Sequence, residues 1–340
     1  MDRHFVLEAV AREMHTGIAV LDNRGNVQYC NPFFVGSFSL DLPVEGRHIR
    51  EIIHSSTLLS AVECLLGNKC EAPEEIEIDE AERCFNIRMV LLGDDGRRSL
   101  LIFFREITEE KRVETIKKDF VANVSHELRT PLASIKGYSE TLLDADTDGE
   151  KQREFLEIID RHATRMSRII DDLLILSRLE SSAVSLNSDT VDMKELIHST
   201  VKGCVKDAED RQVTIKAELP GVLPTVLGDR DRLEQVVVNL FDNAIKYTPA
   251  GGHVTITARS LGDEVCVDVI DTGLGIPEDD ISRIFERFYR VDKARSRALG
   301  GTGLGLAIVK HIIQGHNGRL EVKSKPGLGS TFSFFLRSAA

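Results

Sequence analysis

Residues 155–176 read FLEIIDRHATRMSRIIDDLLIL. Phe155, Ile159, His162, Met166, Ile169, Leu173 and Leu176 alternate spacings of four and three, which predicts a helix with an a/d seam about three heptads long. Upstream, Val113, Ile116, Phe120, Val124 and Leu128 repeat at the same spacings. The polar stretch Asp144-Ala145-Asp146-Thr147-Asp148-Gly149 separates the two runs, so a helical hairpin is expected. Two helices alone cannot bury both seams. A second copy of the chain, completing a four-helix bundle, would do so; the alternative is packing on a neighbouring domain of the same chain. The narrow, continuous seam favours the homodimer.

The regions on either side read differently. Before the hairpin, Gly17–Asp22 and Asn26–Tyr29 predict two strands around the turn Asn23-Arg24-Gly25. Residues 49–66 read as helix, and Cys84–Leu92 and Ser99–Phe104 as a hairpin around Asp94-Asp95-Gly96. After it, Val254, Ile256 and Ala258, then Val265, Val267 and Val269, then Phe332, Phe334 and Leu336 alternate with other residues as half-buried strands do. Helices fall near 192–210, 231–247 and 304–315, giving a mixed sheet with helices on one face.

The 340 residues carry a formal charge of −12, with 42% hydrophobic and 29% charged residues, which suits two or three soluble domains. Residues 1–110 hold 11 Lys and Arg against 20 Asp and Glu, and the remainder 32 against 35. That balance argues against direct nucleic-acid binding and acidic-membrane binding. No run of 18 apolar residues and no secretory pattern is present, so the chain does not itself require a membrane. Six cysteines, at 30, 64, 70, 84, 204 and 266, form no CxxC pair and are expected to be free thiols in a reducing compartment.

Four segments carry chemistry. Ser125-His126-Glu127-Leu128-Arg129-Thr130-Pro131-Leu132 places an imidazole beside a carboxylate, a competent nucleophile and base. Pro131 deprives the Glu127 carbonyl of its helical donor, so a bend is expected. Thr130 lies one turn beyond His126 on the same face. In Asn239–Tyr247, residues Asn239, Asn243, Lys246 and Tyr247 share one helix face, where amides, a cation and a ring suit a metal, phosphates and a flat base. Asp271-Thr272-Gly273-Leu274-Gly275 follows a buried strand; its carboxylate suits an exocyclic amine, and its glycines allow close approach of backbone. Gly300-Gly301-Thr302-Gly303-Leu304-Gly305 opens the last helix, where stacked N–H groups suit phosphate. It is neither GxGxxG nor GxxxxGK[ST], which disfavours a Rossmann or P-loop reading. Arg290, Lys293, Arg295 and Arg297 form a basic segment that reads as a lid over phosphates or as a solvated loop.

These motifs, in this order, resemble those of a bacterial sensor histidine kinase of a two-component system, over nearly the whole length. Ser125–Leu132 looks like the phosphoacceptor box, Asn239–Tyr247 the asparagine box, Asp271–Gly275 and Gly301–Gly305 the glycine boxes, and Phe285-Glu286-Arg287-Phe288 the phenylalanine box. Residues 1–108 are similar to a PAS sensor domain, and Arg105–Arg112 looks like its junction to a signalling helix. Phe120–Tyr138 looks close to the phosphate-regulon branch.

The resemblance implies a multidomain α+β protein: a PAS-like sensor over 1–108, a signalling helix with dimeric phosphotransfer hairpin over 109–186, and an α/β sandwich ATP-binding domain over 187–340. It implies ATP and Mg²⁺, with Asp271 on adenine, Tyr247 near the ring, Asn239 and Asn243 on metal and phosphate, and Lys246 neutralising charge. Gly273, Gly275, Gly301, Gly303 and Gly305 with Arg290 and Lys293 complete the nucleotide site. His126 then attacks the γ-phosphoryl with Glu127 as base, and the phosphoryl passes to an aspartate on a separate response-regulator receiver domain. In that family a Thr at the Thr130 position helps dephosphorylate the regulator. Membrane spans common in the family are missing here, so a cytoplasmic location, or the cytoplasmic portion of an anchored kinase, is expected. Tyr29-Cys30-Asn31-Pro32 does not look like a flavin-adduct motif, and His48 and His54 read as surface residues rather than haem ligands. Two other classes remain: a scaffold that only senses ATP, and an ATP-driven conformational machine with the same nucleotide fold.

Overall fold

The computed structural model describes residues 11, 13–41, 43–67, 75–80, 82–93, 98–144, 148–180, 189–292 and 301–339. The turn at Asp94-Asp95-Gly96 and the lid residues Lys293, Arg295 and Arg297, with Gly300, lie outside them. Two compact units result, Met1–Val121 and Ala122–Ala340, with the divide falling inside the first long helix.

In the first unit, β1 (Gly17–Leu21), β2 (Val27–Cys30), β3 (Ile76–Glu80), β4 (Arg83–Leu92) and β5 (Ser99–Glu106) form an antiparallel sheet of order β2-β1-β5-β4-β3. The short helix α1 (Pro32–Ser37) begins with proline at its first turn, where the missing N–H is no loss. Its cap is Asn31, which is fully buried and fully used. Asn31 Oδ1 accepts from the N–H groups of Ile18 (2.8 Å) and Phe34 (3.0 Å), and its amide donates to the Ala11 and Thr16 carbonyls. Phe34, Phe85 and Phe104 fill the core with Leu21, Ile49, Ile53, Leu58 and Ile102. The single helix expected over 49–66 is broken into a 3-10 turn, Ile49–Glu51, and α2, Ser56–Leu66. Ser55 causes the break, because its hydroxyl caps the Leu58 N–H and starts a new helix. Cys64 on α2 is disulfide-bonded, which corrects the expectation that all thiols are free; Cys30, Cys84, Cys204 and Cys266 are free.

The hairpin is α3 (Thr108–Asp144) and α4 (Gly149–Glu180). The α3 assignment runs unbroken through Pro131. Tyr138 and Phe155 pack across the hairpin with ring centroids 5.2 Å apart. Ile169 and Leu176 of the seam are buried, whereas Leu132, Leu156, Ile170 and Leu174 are exposed.

The C-terminal lobe has a five-stranded mixed sheet of order β11-β12-β10-β9-β7. Its strands are β7 (Thr214–Glu218), β9 (His253–Leu261), β10 (Glu264–Asp271), β11 (Arg319–Lys325) and β12 (Gly329–Arg337). Among the described residues only the β7–β9 pairing of this sheet is parallel. A small two-stranded sheet pairs β6 (Asp189–Val191) with β8 (Val226–Gly228). Helices α5 (Met193–Asp210), α6 (Arg230–Tyr247) and α8 (Gly305–Gly315) pack on the large sheet and on one another, with the short α7 (Glu278–Ile281) between β10 and α8. Helix α4 packs against α8, so the hairpin and this lobe share one compact unit, and part of the seam is covered within the chain. Among the described residues no helix is long and apolar enough to cross a membrane.

Candidate functional site

Helix α6 starts at Asp229, whose carboxylate caps the Arg232 N–H, and its own N–H donates to His316 Nε2 at 2.9 Å. Leu233, Val237, Leu240, Phe241 and Ala244 are buried on the core side. Asn239, Asn243, Lys246 and Tyr247 instead line a cavity of about 1090 Å³. Thr248 ends the helix, its hydroxyl donating to the Ala244 carbonyl at 2.7 Å ahead of Pro249.

Asp271 closes β10 and lines the same cavity. Its Oδ1 accepts from the N–H groups of Gly273 (2.8 Å) and Ser330 (3.2 Å). Burial pushes the Asp271 carboxyl up from the usual carboxylate range, against the lowering effect of those bonds. Gly273 sits behind the wall, where a Cβ would meet Asp271 Oδ1 and the Tyr247 carbonyl, both at 2.6 Å. Gly275 lines the cavity at φ +69°, and a Cβ there would fall 1.9 Å from the Lys325 carbonyl oxygen. Gly275→Ala is therefore expected to lose about 3 kcal/mol of stability in denaturant unfolding, because both the dihedral and the space exclude a side chain. A change below ~1 kcal/mol would contradict this packing.

Gly301, Gly303 and Gly305 complete the cavity wall at the start of α8. Thr302 Oγ1 accepts the Leu304 N–H, and Asn239 Nδ2 donates to the Gly305 carbonyl at 3.3 Å, tying the α6 face to the loop. Gly303 adopts φ +74° and its carbonyl accepts the Phe288 N–H at 2.8 Å, which locks the loop onto the phenylalanine segment. Arg290 also lines the cavity. Its Nη2 donates to the Thr302 carbonyl (2.8 Å) and to Glu127 Oε2 (3.0 Å). Its buried Nε–H makes no hydrogen bond among the described residues, which leaves a donor for an anion.

His126 is exposed on α3 and does not line the cavity. Glu127 is not paired with it. Its Oε2 takes both Arg290 and Arg165, each at 3.0 Å, and only 18% of its side chain is exposed. The expected adjacency of nucleophile and base is thus replaced here by a carboxylate between two guanidiniums, since a half-buried charge is stabilised by opposite charge. Thr130 Oγ1 donates to the His126 carbonyl at 3.2 Å.

Sequence reasoning missed the α4 wall of the cavity, Arg168, Asp171, Asp172 and Ile175, and the role of Arg165. Thr302 Oγ1 donates to Asp172 Oδ2 at 2.8 Å, and Arg165 Nη2 to the Gly301 carbonyl at 3.5 Å. The available signal was Arg165 and Asp172 at i and i+7, beside an otherwise apolar seam.

Comparison with known proteins matches both parts. Residues 116–182 match the "His Kinase A (phospho-acceptor) domain", and residues 228–340 the "Histidine kinase-, DNA gyrase B-, and HSP90-like ATPase" family. The sensor-like histidine kinase SenX3 of Mycolicibacterium smegmatis is 37% identical over 327 residues, covering 93% of this chain and 82% of that protein. The chain spans 43–60% of seven other curated relatives, among them sensor protein kinases WalK and the alginate biosynthesis sensor protein KinB. Among solved structures, full-length ShkA in complex with AMPPNP aligns with TM-score 0.50 and 31% identity, over 65% of this chain and 46% of ShkA. Histidine kinase ThkA, solved with the response regulator TrrA, shares the fold with TM-score 0.57 at 24% identity, over 97% of this chain and 98% of ThkA.

Proposed function

The chain belongs to the sensor histidine kinases, and from that premise we propose that it phosphorylates its own His126 from ATP and passes the phosphoryl group to an aspartate of a response-regulator receiver domain. The observation that carries this reading is convergence. Residues far apart in sequence, Asn239, Asn243, Lys246 and Tyr247 on α6, Asp271 after β10, and Gly301, Gly303 and Gly305 before α8, line one cavity.

Asp271 has one carboxylate oxygen bonded to backbone and so presents the other to the exocyclic amine of adenine. Tyr247 packs beside the base. The loop N–H groups at the start of α8 receive phosphate oxygens, and Lys246, paired in the structure with Asp242, and the Arg290 Nε–H, unbonded among the described residues, supply positive charge. Asn239 and Asn243 offer amide oxygens of the kind Mg²⁺ accepts, with Asp242 on the same cavity wall; bound there, Mg²⁺ would screen phosphate charge. Lys293 belongs to the same reading from its place in the basic segment.

Transfer forms a bond from a ring nitrogen of His126 to the γ-phosphorus and breaks the bond to the bridging oxygen, which leaves with ADP. Glu127 accepts the proton of the other ring nitrogen. For this it must exchange its two arginine partners for the imidazole, so the lobe carrying Arg290 has to move relative to α3. The exposed apolar residues of α3 and α4 support a homodimer that completes a four-helix bundle. The sheet order of the first unit supports a PAS-like sensor. The family places such a chain in the cytoplasm, or makes it the cytoplasmic portion of a membrane-anchored kinase. Incubation with γ-labelled ATP tests the reading: acid-labile label must appear on the protein and chase into receiver domains. ATP turnover without phosphoprotein would favour the conformational machine instead.

We infer also that Thr130 serves removal of phosphate from the regulator, by orienting water toward the acyl phosphate opposite His126. Its exposed hydroxyl, now bonded to the His126 carbonyl, is free to rotate at small cost. Thr130→Ala is expected to keep autophosphorylation within about twofold and to lose ~10-fold or more of phosphatase activity. Equal losses in both, measured on one preparation, would leave only the structural role.

A further inference from the structure

The cavity has a wall that the nucleotide reading does not require. Arg168, Asp171 and Asp172 reach it from α4, which belongs to the phosphotransfer hairpin. Asp172 accepts the Thr302 hydroxyl, and Thr302 Oγ1 in turn accepts the N–H of Leu304, the residue just before α8. Seven residues earlier, two turns along the same face, Arg165 holds the Gly301 carbonyl. Helix α4 therefore grips both residues that open the glycine loop. Burial raises the Asp172 carboxyl and nearby Asp171 and Asp242 add to this, while Thr302 and Lys246 favour its charged form. A carboxylate thus stands in the cavity against the glycine loop and near Lys246, whose own ion-pair partner is Asp242.

Resting on the ATP-site reading, we propose that Asp172 is a positioning residue that pins the glycine loop to the hairpin and stands where the nucleotide's phosphates bind, so that phosphate binding and the α4–loop contact exclude each other. The Asp172 carboxylate and a bound phosphate would be two negative groups in one cavity near the same Lys246, so each raises the cost of the other. Linkage makes the competition reciprocal: the contact weakens nucleotide binding, and nucleotide binding releases the lobe from the hairpin. That release is the motion Glu127 needs before it can reach His126. Discrimination follows as well, since a triphosphate opposes the carboxylate more strongly than a diphosphate and so gains more from its removal.

The test is Asp172→Asn in the full chain, which keeps an acceptor for Thr302 and removes only charge. Titration calorimetry with ATP and with ADP, at two salt concentrations, reads the effect. The expected result is an ATP affinity ~10-fold tighter, an ADP gain of about threefold or less, and an ATP gain that is larger at low salt than at high salt because screening shrinks the difference. Asp172→Ala, which also frees the loop, should show the same ordering and faster proteolysis at the loop. Unchanged or weaker ATP affinity in both variants, or equal gains for ATP and ADP, overturns the proposal. If the unmutated chain binds neither nucleotide, the ATP-site reading itself fails, an outcome distinct from the others.

Discussion

Replacing His126 with Gln is expected to abolish incorporation of label from γ-labelled ATP, a fall of at least ~10³-fold, while leaving the fold intact. Glutamine fills a similar volume, suits a helix interior and carries no nucleophilic nitrogen. The site tolerates it because His126 is exposed on α3 and carries no packing role. Unfolding free energy should therefore stay within what a surface change allows, about 0.5 kcal/mol. His162 is the competing imidazole in the hairpin. It is half-buried on the α4 seam, and burial, with the charges of Arg161 and Arg165, pushes its pKa down. That keeps it neutral, but its position among seam residues restricts approach of a phosphoryl group. Residual label in His126→Gln that disappears in the double variant with His162→Gln would reassign the acceptor.

How much was legible depends on whether a residue's partner is local. The β10 strand was readable from the alternation of Val265, Val267 and Val269, all buried, but not its other face: Cys266 and Asp268 are buried as well, so the strand is covered on both sides there rather than half-buried. The α6 face was readable because i, i+4, i+7, i+8 places amides and a cation together whatever packs around them. Strands β7 and β11 were not. Both are edge strands: Thr214-Ile215-Lys216-Ala217-Glu218 is exposed except for Ile215 and so resembles a loop, while Arg319–Lys325 does alternate Leu320 and Val322 with charged residues, but none of its residues is fully buried. Strands β6 and β8 are three residues each, too short to show a period. The α4 wall of the cavity was invisible for another reason. Arg165 and Asp172 look like ordinary solvated charges beside a seam, and only tertiary packing against the glycine loop gives them partners. The same holds for Glu127. Its neighbour in sequence is His126, but its partners in space come from 38 and 163 residues away.

Asp271→Asn should weaken ATP binding by ~10²-fold or more while the lobe stays folded, because the change is confined to one atom. The asparagine carbonyl oxygen can replace Oδ1 and still accept from the Gly273 and Ser330 N–H groups. Its amide nitrogen then stands where Oδ2 was and points a donor at the donor amine of adenine. Two buried donors facing each other leave both unsatisfied, which costs about 1–3 kcal/mol each. The wild-type site should also depend on pH with a definite sign. Burial holds the Asp271 carboxyl above its ordinary range, so the free protein takes up this proton at a higher pH than an exposed aspartate does. Stability from this group is therefore complete at low pH and is lost as pH rises through the shifted value. Nucleotide binding runs the other way. It needs the ionised carboxylate as acceptor, so affinity rises with pH through the same window and flattens above it. Titration calorimetry across that range should show proton release on ATP binding at the acidic end, and the Asp271→Asn protein should lose this linkage together with the affinity. Tight binding by Asp271→Asn with the pH dependence retained would move adenine recognition to another residue of the cavity.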